Sequence, residues 1–217
     1  MRPAAIALIA ALAITSAMLA GCGGGSDGPG SSSYLPMAVG NSWDYTLTLA
    51  PGITPAQIPG GTEFPYHETV TGVATLQGTR YFAIQARREA VDPYPEGVWQ
   101  QFRREDLQAL YARVGDPAYD LPILMLPPIA GETWTDPLFP AVSYTTVAVA
   151  VPVTVPAGQF TCVRVDEEYD YVPAENESPI HVAVRSFYAR GVGLVRDETL
   201  EDGVVTSTLQ LVSYILQ

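Results

Sequence analysis

The chain has 217 residues, of which 47% are hydrophobic and 16% are charged, so it is long and apolar enough to bury the core of one domain. All 11 basic residues are arginines, and 23 acidic residues bring the net charge to −12. This charge argues against nucleic acid as a partner, because a binding surface for phosphates needs an excess of basic side chains. The composition also excludes disorder and coiled coil as the main architecture.

Residues 1–21 have the features of a secretory signal peptide, with a positive charge at Arg2 followed by an apolar run at residues 4–20. The run ends in Leu-Ala-Gly-Cys at residues 19–22, which resembles the bacterial lipobox. This motif predicts cleavage before Cys22 and diacylation of its sulfur, for example with palmitate, so that the lipid holds the protein on a membrane. An uncleaved transmembrane anchor is the alternative.

Residues 22–33 are rich in glycine and serine and are predicted to form a flexible tether. A chain of this composition reaches about 18 Å on average, which would let the rest of the protein stand clear of the lipid headgroups. The residue directly after Cys22 is glycine and not an acidic residue, and by resemblance to the sorting signals of enteric lipoproteins this favours the outer membrane with the protein facing the periplasm. Residues 34–217 are then predicted to form a single domain of the cell envelope.

Strand patterns fill most of that domain. The first is Trp43 to Leu49, where large apolar side chains alternate with polar ones in the period of two that is typical of a half-buried strand. Similar patterns occupy residues 68–76, 80–86, 98–104, 110–114, 142–154, 160–171, 181–188, 193–200 and 204–216. Short glycine-containing turns separate several of them and favour antiparallel pairing. We therefore predict an all-β domain of about ten mostly antiparallel strands.

Two long proline-rich segments, residues 50–65 and 115–131, are predicted to be loops, and loops of this length are often functional. Five apolar side chains of the second loop are candidate contacts for a ligand or partner: Leu121, Ile123, Leu124, Met125 and Leu126. The alternative is that they cover the core, as apolar loop residues usually do. A short repeat is also visible, because Gly-x-x-Trp follows a proline-containing apolar stretch at Gly40 to Trp43 and again at Gly131 to Trp134. Each copy predicts a turn at glycine and then a strand that begins with a buried tryptophan.

No established catalytic or metal-binding motif is present. The two histidines, His67 and His181, lack the spacing of zinc ligands, and there is no nucleophile elbow, phosphate loop or dinucleotide-binding motif. Cys162 lies in a strand pattern and is predicted to be a buried apolar thiol, not a nucleophile. We predict no cofactor, metal site or catalytic residue, and only a triad assembled from distant residues stays open.

An acidic run places Asp166, Glu168 and Asp170 on one face of a predicted strand. Such side chains offer the oxygen ligands that calcium prefers, but alternate positions on a strand lie almost 7 Å apart, which is too far for three of them to converge easily on one ion. We therefore interpret this face as a solvated outer face of the sheet.

The chain resembles a group of bacterial lipoproteins of unknown function that carry a Tyr-x-Pro-x-x-x-Gly-Asn-x-Trp-x-Tyr signature near the mature N-terminus, here at residues 34–45. Residues 155–162 and 187–196 are also similar to segments of that group. The resemblance implies a strongly curved antiparallel sheet, similar to the half-barrel of periplasmic lipoprotein-carrier proteins, and it implies no catalytic residues. It is a likeness of fold and does not by itself assign a function.

The leading hypothesis is a non-enzymatic envelope lipoprotein, held on the membrane through Cys22, that binds an apolar small molecule or a lipidated partner. The alternative is a structural or interaction module that binds an envelope protein or a glycan through aromatic surfaces and has no ligand cavity. A hydrolase without a familiar motif is the third hypothesis.

Overall fold

The computed structural model describes residues 33–51, 62–90, 95–114, 118–172 and 178–217. The predicted signal peptide, Cys22 and almost all of the predicted tether lie outside these residues, so the predictions made for them stay predictions. Across the described ranges, no helix is long and apolar enough to cross a membrane.

Within these described ranges, twelve antiparallel strands form one open sheet. The strands are β1 (Ser42–Leu49), β2 (Thr62–Leu76), β3 (Thr79–Arg88), β4 (Gly97–Glu105), β5 (Ala109–Val114), β6 (Tyr119–Met125), β7 (Thr133–Thr135), β8 (Ser143–Val155), β9 (Gly158–Tyr171), β10 (Ile180–Ala189), β11 (Gly193–Glu201) and β12 (Val204–Ile215). Their order is β6-β5-β4-β3-β2-β1-β12-β11-β10-β9-β8-β7. The all-β, antiparallel prediction is confirmed, although the sheet has twelve strands where the sequence predicted about ten.

The sheet consists of two six-stranded meanders, β1 to β6 and β7 to β12, which are joined where the first strand pairs with the last. The sheet curves until its two outermost strands touch through side chains. The Trp134 Nε1 donates a hydrogen bond to the Pro122 carbonyl at 2.7 Å. The Tyr119 hydroxyl donates to the Asp136 carboxylate at 2.7 Å. We call the side of the sheet that carries the core the inner face and the opposite side the outer face.

Tight turns connect the strands as the sequence predicts. Gln77 and Gly78 both have positive φ, at 51° and 81°, and so do Asp202 and Gly203, at 48° and 79°. Two consecutive residues with positive φ are typical of the two-residue turn whose twist matches that of an antiparallel hairpin. These turns fix the register of β2 with β3 and of β11 with β12.

The short sequence repeat is also a structural repeat at the start of each meander. Gly40 and Gly131 both adopt the left-handed conformation, with φ of 95° and 85°. The residue after each glycine closes the same turn, since Asn41 N donates to a carbonyl three residues back at 3.0 Å and Glu132 N does the same at 3.0 Å.

Each turn is then bonded to the second strand of its own meander in the same way. Gly40 N donates to Val70 O, and Val70 N donates to Asn41 O, both at 2.9 Å. In the other meander the Gly131 N donates to Thr146 O at 2.7 Å, and Thr146 N returns a bond to the next residue's carbonyl at 2.9 Å. The positions of Val70 and Thr146 are therefore equivalent in the two halves of the sheet.

The two proline-rich segments were predicted to be loops, and this prediction is wrong for part of each. β2 already begins at Thr62, and Tyr119–Met125 of the second segment forms β6. Pro122 argued against a strand at this position. In the structure it lies opposite Tyr111 on the outermost strand, where no further strand needs the N–H that proline lacks. The three residues of β7 were too few to give a recognisable pattern.

Two parts of the chain fill the inner face at one end of the sheet, which we call the closed end. The N-terminal segment, residues 34–37, is buried there. From the other side the bent β8–β9 hairpin packs over β12, where Ala157 N donates to Leu211 O at 3.1 Å. The rings of Phe160 and Tyr214 lie 6.2 Å apart at the same contact. The core therefore includes the N-terminal segment, which belongs to no strand, and a contact between the β8–β9 hairpin and β12, which are not neighbours in the sheet.

Candidate functional site

The N-terminal segment is held on the inner face by specific polar contacts. The Ser33 hydroxyl and the Tyr34 backbone N both donate to Glu105, at 2.9 and 3.0 Å. The Gly191 N donates to the Ser33 carbonyl at 2.8 Å. The segment thus bridges β4 of the first meander and the β10–β11 turn of the second.

Beside this segment lies a recess with about 270 Å³ of empty space, which includes its open mouth. The cavity itself is only about 10 Å³, room for about one water molecule and far below the usual range of about 300 to 1,000 Å³ for small-molecule sites. Most of its lining is aromatic or aliphatic and includes Tyr34, Leu35, Met37, Trp43, Leu110 and Leu194. As it stands the recess has no room for a ligand larger than about one water molecule, so an apolar ligand would have to displace part of the N-terminal segment that lines it.

An ion pair forms the polar part of the recess lining. The Arg103 guanidinium donates to both oxygens of Glu68, at 2.8 and 3.1 Å, and also to the Gln101 side chain at 2.7 Å. Burial opposes the charge of Arg103, but Glu68 and the nearby tyrosine hydroxyls together more than offset it and raise the pKa of the guanidinium. Burial first, and then Glu68, raises the pKa of Tyr66 well above its ordinary value. This phenol therefore stays neutral and cannot serve as a base at physiological pH.

A second polar group of side chains lies on the inner face of the other meander. Burial raises the pKa of Glu167 to about 7, and the nearby Asp197 adds to that shift. Burial also raises the pKa of Asp197 to about 6, although a hydrogen bond from Ser186 favours its charged form. Neither carboxylate forms an ion pair with a basic side chain of the described ranges.

The apolar residues that the sequence singled out lie on and just after β6 at the edge of the sheet. Leu124 is fully buried against the core, and Leu121, Ile123 and Leu126 are partly buried against it. Met125 is likewise partly buried. None of the five lines the recess. Their positions agree with the alternative that they cover the core, and a role in ligand contact stays a prediction.

Cys162 and His67, which the sequence analysis also considered, lie on separate strands, β9 and β2. Burial raises the pKa of the Cys162 thiol to about 11, so this cysteine is a buried thiol, as predicted. His67 contacts Asp44 and Glu89 at 2.7 and 3.2 Å. The part of the chain that the structure describes contains no group of three or more histidine, cysteine or carboxylate side chains that could hold a metal ion.

The solvated outer face predicted for the acidic run is only partly correct. Glu168 and Asp170 are exposed, but Asp166 is 7% exposed and bonds Arg164 at 2.5 and 2.7 Å. Arg185 approaches the same carboxylate to 3.9 Å. Arg164 lies on β9 itself, two residues before Asp166, whereas Arg185 comes from the neighbouring strand β10, and no single-strand pattern could show that second contact.

Sequence reasoning missed Glu167 and Asp197, although a signal was present. In a strand, side chains two apart share a face, and Val163 and Val165 are buried. The next position of that buried face is Glu167. Asp197 follows the fully buried Val195 in the same way. A carboxylate that stands where the alternating pattern predicts a buried apolar residue indicates a polar inner face. This signal is more informative than the run of acidic residues.

Comparisons with known proteins place the fold among exported bacterial proteins of unknown function. Residues 145–211 match a family model described as DUF3108-like. A proposed exported protein of Bacteroides fragilis with a YmcC-like fold is similar over 82% of this chain and 96% of its own, with a TM-score of 0.57 and 14% identity. A proposed lipoprotein of Parabacteroides distasonis is similar over 85% of this chain and 99% of its own, with a TM-score of 0.54 and 14% identity.

A comparison with curated proteins gives no match. At 14% identity the two structures show a shared fold, and that fold agrees with the curved antiparallel sheet implied by the resemblance seen in the sequence. The N-terminal signature at residues 34–45 lies outside the matched segment 145–211, so that part of the resemblance stays a prediction.

Proposed function

We propose that the protein is a non-enzymatic lipoprotein of the bacterial cell envelope that binds an apolar group, on a small molecule or on a lipidated partner, at the recess on its inner face. The observation that carries this proposal is the apolar lining of the recess beside residues 34–37. This segment fills the inner face with large apolar side chains, and it thereby illustrates the kind of group that the face accepts.

The proposed membrane anchor is the lipid on Cys22, and the proposed location is the outer membrane facing the periplasm. The lipobox supports the anchor, and the descriptions of the two similar structures, one exported and one a lipoprotein, support an envelope location. Cys22→Ser is expected to release the protein from the membrane fraction and to abolish labelling by radioactive palmitate. A variant that still incorporates the label would contradict lipidation at this residue.

Ligand binding is tested on the mature chain carrying Cys22→Ser, which can be secreted and purified without detergent. We expect mass spectrometry of its solvent extract to show an apolar molecule in proportion to the protein. Leu194→Asp places a charge in the recess and should abolish recovery of that molecule. Leu107→Asp, at a side chain that is 94% exposed, is the matched control and should retain it. Extracts without any apolar molecule would overturn the proposal.

An interaction module is the second candidate, and exposed apolar side chains on either side of β7 favour it. Ile129, Leu138 and Phe139 are 53 to 60% exposed and lie near one another in the chain, so they offer an apolar surface to a partner. If the extracts are empty, this candidate predicts that Phe139→Ser weakens capture of an envelope protein by photo-crosslinking in intact cells, whereas a change at Leu107 does not.

A further inference from the structure

The inner face of β7 to β11 carries four carboxylates, Glu132, Asp136, Glu167 and Asp197, that form no ion pair with a basic side chain of the described ranges. The strand register places them on this face. Glu167 lies opposite Tyr144, which in turn lies opposite Trp134, and Glu132 and Asp136 are two residues before and after that tryptophan. Asp197 is opposite Ser186 on the next strand pair. The face is therefore acidic without an internal counter-charge.

Two buried oxygen atoms on the same face also have no hydrogen-bond partner. They are the Thr146 hydroxyl, on a residue that is 0% exposed, and the Oε2 of Glu132. Thr146 lies two residues along β8 from Tyr144 and on the same side, and its backbone N bonds the Glu132 carbonyl at 2.9 Å. A buried polar group without a hydrogen-bond partner costs about 1 to 3 kcal/mol in a folded protein. Two such atoms on neighbouring residues therefore call for an explanation.

The structural repeat supplies an internal comparison for these two residues. The equivalents of Glu132 and Thr146 in the first meander are Asn41 and Val70. The Asn41 amide donates to the Pro36 carbonyl and accepts a hydrogen bond from Gln217 N at 2.8 Å, and Val70 has no polar atom in its side chain. In the first meander, the chain's own backbone therefore supplies hydrogen-bond partners for the side chain at this position. In the second meander, the side chains at the equivalent positions have more polar atoms and fewer hydrogen-bond partners.

The arrangement of the carboxylates favours an organic cation over a metal ion. They are spread over β7, β9 and β11, and alternate strands of a sheet lie about 10 Å apart. In the described ranges no three such groups converge closely enough to hold a metal ion. The stacked rings of Trp134 and Tyr144, with centroids 5.6 Å apart, add an aromatic surface of the kind that attracts ammonium groups.

We propose that the inner face around Glu132, Thr146, Glu167 and Asp197 binds a small organic polyamine, whose ammonium groups pair with the carboxylates and donate a hydrogen bond to the Thr146 hydroxyl. Such a ligand would neutralise side chains whose charged forms are disfavoured by burial. This site is separate from the apolar recess, and it does not depend on the proposed function.

Calorimetric titration with spermidine at pH 8 and low salt tests the proposal on the mature chain carrying Cys22→Ser. We expect saturable binding of one molecule per chain. Glu167→Gln combined with Asp197→Asn should weaken it by about tenfold or more. Glu168→Gln combined with Asp170→Asn makes the same change of charge on the outer face of β9 and should leave the affinity within about twofold.

Thr146→Val keeps the shape of the side chain and copies the residue at the equivalent position of the first meander. It should weaken spermidine binding by about fivefold, since one hydrogen bond contributes about 1 kcal/mol. It also serves as the test if the double inner-face variant does not fold. Absence of saturable binding, an equal loss in the outer-face variant, or unchanged affinity in both Thr146→Val and the double inner-face variant would each overturn the proposal.

Discussion

Along β9, β10 and β11 the two faces of the same strands treat charge differently. On the outer face, Arg164 bonds Asp166, and Arg196 bonds Glu198. On the inner face, Glu167 and Asp197 have no arginine beside them, and burial raises the pKa of both. We therefore expect acidic residues that are neighbours in the sequence to change the stability in opposite directions. The face of the sheet that each side chain occupies decides the direction.

The largest expected effect comes from Glu68, an inner-face carboxylate that does have a cation. Arg103→Met removes the partner of Glu68, whose side chain is only 4% exposed, and leaves a buried charge uncompensated. We expect the free energy of unfolding in urea to fall by about 3 to 5 kcal/mol. The matched control, Arg87→Met, breaks an exposed pair with Glu96 and should cost less than about 1 kcal/mol. Equal losses would contradict the contrast between buried and exposed pairs.

Glu167→Gln is expected to stabilise the protein at pH 8. Burial raises the pKa of Glu167 from 4.5 to about 7, so its contribution to stability is fully present below pH 4.5 and is lost as pH rises through 7. Glutamine cannot ionise and avoids that loss, which amounts to about 3 kcal/mol at alkaline pH. Urea unfolding at pH 8 and pH 4.5 measures the difference, and a variant that is less stable than wild type at pH 8 would refute this account of the inner face.

Asp166→Asn is expected to act in the opposite direction. The change weakens the bonds to Arg164 and Arg185, two guanidinium groups that are partly exposed to solvent. We expect a loss of about 1 kcal/mol in urea unfolding at pH 7, because solvent screens what remains of the charges. A stabilising effect would show that the outer face does not differ from the inner face.

The smallest expected effect is that of Asp170→Asn, at the exposed end of the same outer face. Its side chain is 70% exposed and contacts His181 at 3.1 Å. Exposed pairs of this kind contribute little, so the midpoint of urea unfolding should stay within the error of the measurement. A clear shift would mean that this end of β9 has a partner that the strand register does not show.

The regular strands could be predicted from the sequence because alternation and turn residues are local signals. β1 and the turns at Gly78 and Gly203 are examples. The edge strand β6 was missed because the rule about proline depends on which strand lies outermost, and that order is a property of the whole sheet. The inner-face group of Glu167 and Asp197 was missed because its members meet across three strands, so only the register brings them together.

The place of β1 between β2 and β12 has a consequence for how the chain folds. The first strand completes its ladder only when the last strand arrives, and Gln217 N bonds Asn41 across almost the whole length of the chain. Contacts this distant in sequence slow folding, because a long loop must close before they form. A chain that becomes available from its N-terminus onwards therefore keeps β1 half-paired until β12 follows. Deletion of the last few residues should delay the appearance of native structure far more than the loss of their own contacts would suggest.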